Sequence, residues 1–182
     1  MGLFDFLRTR KPVAAAAADE PDAPLPSGYK SQWWTVRSSS AEDVAEVIQL
    51  ADPRPCNWST GSRRRDQGDI FVTPAVNGWT MVCGHGLGPS GCGDVNDVTR
   101  RLKYLSQEFG ESQVYATHRV VDFHLWARAE NGKLIRGMGY CPDDGGLFWD
   151  EGYDSCEERL GLDLSEPNWR DDDDVLKNFG YQ

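Results

Sequence analysis

The order of elements along this 182-residue chain predicts an α+β fold, an antiparallel or mixed sheet of about six strands covered by two main helices. Three observations carry that expectation. The dipeptides Asn77-Gly78 and Asn131-Gly132 lie between β-branched and aromatic runs, the usual signature of hairpins, and hairpins pair neighbouring strands antiparallel. Two segments, one after Ser40 and one after Asp94, carry apolar residues at helical spacing. The resulting order, β-α-β-β-α-β-β-β-α, lacks the regular alternation of strand and helix that a doubly wound parallel sheet requires.

Residues 1–28 are expected to form a flexible, disordered tether and residues 29–182 a single domain. Leu3, Phe4, Phe6 and Leu7 share one side of a short N-terminal turn, and the tract from Pro12 to Pro26 is almost entirely Ala, Asp, Glu and Pro. Such a tract buries too little apolar surface to offset the entropy of ordering. Residues 29–37 (YKSQWWTVR) read as a strand. Ser40 and Asp43 have capping-box spacing, Val44, Val47 and Ile48 fall on one helical face, and Pro53 forbids continuation. The stretch around Arg63, Arg64 and Arg65 reads as a polar loop, and Asp69 to Thr73 and Gly78 to Cys83 as strands flanking the first Asn-Gly turn. Val95, Val98, Leu102, Leu105 and Phe109 define the next helix, with Asp94 as N-cap and Gly110 as stop. Two long extended segments follow from Ser112 to Tyr140, joined at Glu130-Asn131-Gly132-Lys133. Phe148 and Trp149 mark a final strand, and a short helix near Asp171 to Phe179 closes the chain.

Charge is segregated. From Asp143 onward the chain holds thirteen carboxylates against Arg159, Arg170 and Lys177, which accounts for the whole formal charge of −10, while the first 142 residues balance to zero. An anionic patch from one contiguous segment speeds encounter with a cationic partner and repels nucleic acid and anionic membrane. The expected partner is therefore a basic protein and not a nucleic acid. No apolar run is long enough to span a bilayer, and Met1 to Leu7 stop at Arg8, too short for a signal peptide, so a cytoplasmic protein is expected. Gly2 would suit myristoylation, but Phe6 stands where that motif wants Ser or Thr. Five irregularly spaced cysteines (Cys56, Cys83, Cys92, Cys141, Cys156) do not make a disulfide framework.

Candidate chemistry is sparse. Gly86, Gly88 and Gly91 satisfy G-x-G-x-x-G inside the loop 84–93, but Pro89 removes a backbone donor and Asp94 places a carboxylate where phosphate would sit. Cys83, His85 and Cys92, with Cys56 in reach, have zinc-type side chains but not the spacing of a knuckle. His118, Asp122 and His124 share strand parity and would form a row for metal binding or acid–base work, although its ends stand roughly 20 Å apart along a strand. The run Asp171 to Asp174 lacks the alternating ligands and glycine of a calcium loop. No catalytic residue, metal or cofactor is expected. Trp149, Asp150, Glu151, Tyr153, Asp154 and Trp169 combine aromatic anchors with a carboxylate rim and form the expected partner-binding face.

The stretches NGWTMVCG, from Asn77, LSQEFGESQVYATHRVVDFHLWARAENGKLIRGMGY (residues 105–140), LFWDEG and ERLGLDL resemble a group of small bacterial proteins without assigned activity, over roughly half the chain. The opening MGLFDFLRTRK is similar to the start of short bacterial proteins that include toxin immunity proteins. The resemblance implies a cytosolic single domain with no catalytic residue to transfer; the glycine-rich loop 84–93 departs from the group. The leading expectation is a non-enzymatic immunity protein that neutralises a cognate toxin. The alternatives are an enzyme or ligand sensor built on loop 84–93 with His118, Asp122 and His124, and a scaffold whose N-terminal turn docks on a membrane or a partner helix.

Overall fold

A computed structural model describes residues 20, 22–25, 30–84, 87, 95–153 and 159. Its centre is one antiparallel sheet of seven strands: β1 (Lys30–Val36), β2 (Phe71–Val72), β3 (Thr80–Cys83), β4 (Glu111–His118), β5 (Phe123–Glu130), β6 (Lys133–Cys141) and β7 (Gly146–Gly152). They lie in the order β2-β3-β1-β4-β5-β6-β7. Three helices accompany them among the described residues: α1 (Ala41–Val47), α2 (Trp58–Asp66) and α3 (Val95–Phe109). The α+β class holds, with seven strands instead of six and a third helix.

Both Asn-Gly turns form as the sequence predicts. Asn77 and Gly78 have φ of 52° and 78°, Asn131 and Gly132 45° and 78°, the paired left-handed conformations whose twist matches a hairpin. The Ser40 hydroxyl accepts the Asp43 backbone N–H at 3.0 Å, so the capping expectation holds, and Gly110 ends α3 at φ 81°. Asp94 and the helix expected over 171–179 lie outside the described residues.

The extra strand arises because the first of the two long segments breaks into β4 and β5. The turn between them, Arg119-Val120-Val121-Asp122, carries no glycine or proline, and its valines look like strand residues although Val120 is 67% exposed at the tip. Only Asp122, at φ 51°, has the side-chain type that tolerates the left-handed region. The extra helix replaces the expected polar loop. Asn57 caps α2 by accepting the Thr60 N–H at 3.0 Å, and Asp22 accepts the N–H groups of Trp58 and Ser59 at 2.7 and 2.8 Å. Three orphan donors of the first turn are thereby satisfied. Residue Asp22 of the segment read as a tether is thus held on α2; residues 1–19 lie outside the described residues.

The register fixes two faces. On one, Trp34 is in register with Val82 and Val114, and Val114 with Ala127. Val44 of α1, Ile48 at its C-cap and Val98, Leu102 and Leu105 of α3 close over these residues as the core. Two buried serine hydroxyls on this side are paired: the Ser112 hydroxyl donates to the Leu102 carbonyl at 2.8 Å, and Gly132 N–H donates to the Ser106 hydroxyl at 2.9 Å, tying α3 to the second hairpin. On the other face, Phe71, Cys83, Trp33, Tyr115, Trp126, Met138 and Asp150 are successive cross-strand partners, one from each strand. Helix α2 covers only the β2 end of this second face, with the Trp58 and Phe71 rings edge to face at 5.7 Å.

Candidate functional site

Among the described residues β7 is the last strand on its side of the sheet, and it carries Trp149, Asp150 and Glu151 of the six expected partner-binding residues, with Tyr153 just beyond it. Asp150 and Glu151 are exposed, and Tyr153, just past the strand, is 61% exposed. Asp154 and Trp169 lie outside the described residues. Trp149 does not share the surface: its ring is 6% exposed and belongs to the core, filling the space that Gly137 leaves on β6.

The two carboxylates are held, not floppy. The Trp149 indole N–H donates to Glu151 Oε2 at 3.3 Å. Asp150 accepts from the guanidinium of Arg136, whose Nη1 also reaches the carbonyls of Gly137 at 3.2 Å and Glu151 at 3.3 Å. Arg136 is 4% exposed while the Asp150 side chain is 41% exposed, so a buried guanidinium meets a half-exposed carboxylate at the surface edge. Its carboxylate is needed, because a buried guanidinium left without its partner is strongly destabilising. Sequence reasoning missed Arg136. It is the one arginine on β6, at the parity of Met138, flanked by LI and GMG, and that apolar setting is the signal that marks it.

The row that ends at Asp150 was missed as well. Trp33 and Tyr115 stack at 5.6 Å, and Tyr115 and Trp126 lie tilted at 6.5 Å. The adjacent pair Trp33-Trp34 points to opposite faces, as neighbours on a strand do: Trp34 is buried under the helices with its indole N–H on the Leu87 carbonyl at 3.1 Å, while Trp33 opens the second face.

The histidine row does not assemble. With the chain turning at 119–122, His118 takes the parity of buried Val114 and Ala116, and His124 that of Trp126 on the opposite face. The parity argument assumed one unbroken strand, and the turn cancels it. His124 instead sits in a local chain, its Nε2 at 3.0 Å from Asp122 Oδ1 and its Nδ1 at 3.1 Å from Thr117 Oγ1. Burial lowers its pKa below the ordinary imidazole value despite the carboxylate. A neutral ring that donates to Asp122 and accepts from the Thr117 hydroxyl satisfies both nitrogens, leaving neither for a metal.

Of the loop 84–93, Gly84 and Leu87 are described. A Cβ on Gly84 would lie 2.7 Å from Ile70 Cδ1 and 2.9 Å from the Asp69 carbonyl, so this glycine serves close packing. Gly86, Gly88, Gly91, His85 and Cys92 lie outside the described residues. Cys83 is buried, and burial pushes its thiol up to about 11. Among the described residues no group of three His, Cys, Asp or Glu side chains is placed to hold a metal ion, and no helix is long and apolar enough to cross a membrane.

The fold and site together define an α+β protein with an acidic outer strand. No family model, no curated protein and no solved structure matches the chain.

Proposed function

We propose that the protein is a non-enzymatic binding module for a basic protein, most concretely an immunity protein that neutralises a cognate bacterial toxin by occluding it. The observation that supports this reading is the strand β7, which exposes Asp150 and Glu151 on its two faces, with exposed Tyr153 just past its end. The segregated −10 segment to which they belong supplies long-range attraction to a cation-rich surface. Tyr153 adds an amphipathic anchor of the kind that dominates interface energetics.

The test is capture of binding proteins from the host at low salt, followed by kinetics with the purified partner. A single basic protein, retained stoichiometrically and released by salt, is expected. Glu151→Lys should slow its association by roughly threefold to tenfold and flatten the salt dependence, because rim charges act on encounter. Tyr153→Ala should raise the dissociation rate. Asp150 is left intact in these variants, since its loss would strand the buried Arg136 and confound binding with stability. Retention of no basic protein, or unchanged kinetics in both variants, removes the proposed face.

A further inference from the structure

We infer that a cleft at the β2 edge of the sheet binds the carboxyl-terminal end of an extended peptide, which pairs its backbone with Val72 and sets its carboxylate on Arg54. The site lies at the opposite end of the strand order from β7, so it goes beyond the binding reading and stands whether or not a basic protein docks there.

The cleft follows from the way the chain rounds the sheet. Helix α1 packs on the first face through Val44 and α2 on the second through Trp58, and residues 48–57 cross from one to the other. The space left between the helices measures about 960 Å³, within the range of small-ligand sites. Ala45, Leu50, Arg54, Arg64, Val72 and Pro74 line it, and no described residue of β3 does, so it lies beyond β2.

The backbone of β2 supplies one half of the recognition. Thr73 N–H donates to the Met81 carbonyl at 2.9 Å, so Thr73 and, two residues back, Phe71 turn their backbone groups towards β3. Val72 stands between them, opposite Val82, and the same alternation directs its N–H and C=O away from β3, to the cleft side. There β2 is the last described strand, and an outward donor and acceptor on a sheet edge are the complement of another extended backbone. Pro74 brings no N–H, which keeps the paired stretch short.

Arg54 supplies the other half. Its Nη2 donates to Asp52 Oδ2 at 2.7 Å, whereas Nη1 is buried and meets no acceptor. A buried donor left unmet is costly, and a carboxylate is the acceptor that binds a guanidinium most strongly. Arg64, with its Nε 3.9 Å from Asp69 Oδ2, brings a second guanidinium from α2. The exposed Glu42 and Glu46 of α1 stand on the rim. That charge pattern fits one terminal carboxylate with lysine or arginine further up the peptide, and disfavours a polyanion.

The test presents the full-length chain with a pool of short random peptides that begin with lysine and end in a free carboxylate, beside the same pool amidated at its end. Retained peptides are read by mass spectrometry, and the one held most tightly is resynthesised. Free-acid members are expected to be retained roughly tenfold or more over amidated ones. Arg54→Gln should weaken the resynthesised peptide by roughly tenfold to a hundredfold, the loss of a charged hydrogen bond, at an unchanged thermal midpoint. Hydrogen exchange at the Val72 amide should slow by roughly tenfold or more when the peptide is bound to the wild-type chain, which attraction between charges alone does not produce. If Arg54→Gln does not fold, the preference for free acids and the Val72 exchange decide. No peptide retained from either pool overturns the inference. Equal retention of the two pools, Val72 exchange indifferent to the peptide, or a folded Arg54→Gln chain that binds as tightly as before does the same.

Discussion

Gly137→Ala tests the packing under the acidic strand, because its sign should invert. At an unstrained strand position the change from glycine to alanine stabilises by about 0.4–1 kcal/mol, since alanine narrows the unfolded ensemble. Gly137 has no positive φ to forbid a side chain. A Cβ there would, however, lie 2.1 Å from Trp149 Cζ2 and 2.5 Å from Cε2 and Cη2. Carbon atoms rest at about 3.5–4.0 Å, so the ring must shift by more than about 1 Å inside a closed core. Overpacking of that kind costs about 1–3 kcal/mol, and the balance is a net loss of about 1–2 kcal/mol. Urea unfolding with an unchanged slope should report it as a lower midpoint. In a Trp149→Leu background the ring is gone, and Gly137→Ala should become neutral or stabilising, a coupling of about 1–3 kcal/mol. A gain in the wild-type background, or the same loss in both, would mean that the indole does not lie on Gly137.

Two further outcomes are expected. Alanine for glycine inside a helix ordinarily gains about 1 kcal/mol, but at Gly61 a Cβ would meet Phe71 Cε2 at 2.2 Å, so Gly61→Ala should lower the thermal midpoint and Phe71→Leu should restore part of it; a raised midpoint would place α2 elsewhere. Glu111 supplies a pH dependence. Burial pushes its carboxyl up, but hydrogen bonds from Arg128, Gln113 and Arg37 outweigh burial and hold it below the ordinary value. A depressed folded pKa gives stability that is present above the unfolded value and lost as pH falls through the folded one. Thermal midpoints should therefore drop as pH falls from about 5 towards 3, and Glu111→Gln should shallow that drop; identical slopes for the two chains would refute the role.

What could be read from the residues was whatever local chemistry decides. Asn77-Gly78 and Asn131-Gly132 dictate their turns through left-handed backbone, Ser40 caps through one hydroxyl, and α3 announces itself by apolar periodicity closed by Gly110. What escaped depends on partners distant in sequence. Residues 58–66 (WSTGSRRRD) have poor helical character, and α2 forms because Trp58 and Gly61 pack on Phe71 and because Asp22 caps it from 36 residues away. The turn at 119–122 is shaped from residues that favour strands, and missing it shifted His118 and His124 onto a common face that the fold does not provide. For the candidate site, the exposed acids Asp150 and Glu151 were legible from composition, whereas the burial of Trp149 and the pairing of Arg136 required the register.

That register also explains why the run LFWDEG separates its aromatics from its carboxylates. Tyr140 pairs with Leu147 and Gly139 with Trp149, so Phe148 is the extra residue of a bulge. A bulge lets two consecutive side chains lie on one face. Phe148 stacks on Phe123 at 5.9 Å and would meet a Cβ on Gly139, while Trp149 would meet one on Gly137. Glycines at alternate positions of β6 therefore admit both rings to the core, and their burial fixes β7 in place. Asp150 and Glu151 then emerge at the last described strand, one tied to Arg136 and the other to the indole N–H. It follows that Trp149 acts on a partner only through this support. Its substitution should weaken binding in proportion to lost stability, whereas Glu151 and Tyr153 should change the kinetics of association and release by more than any change in stability accounts for.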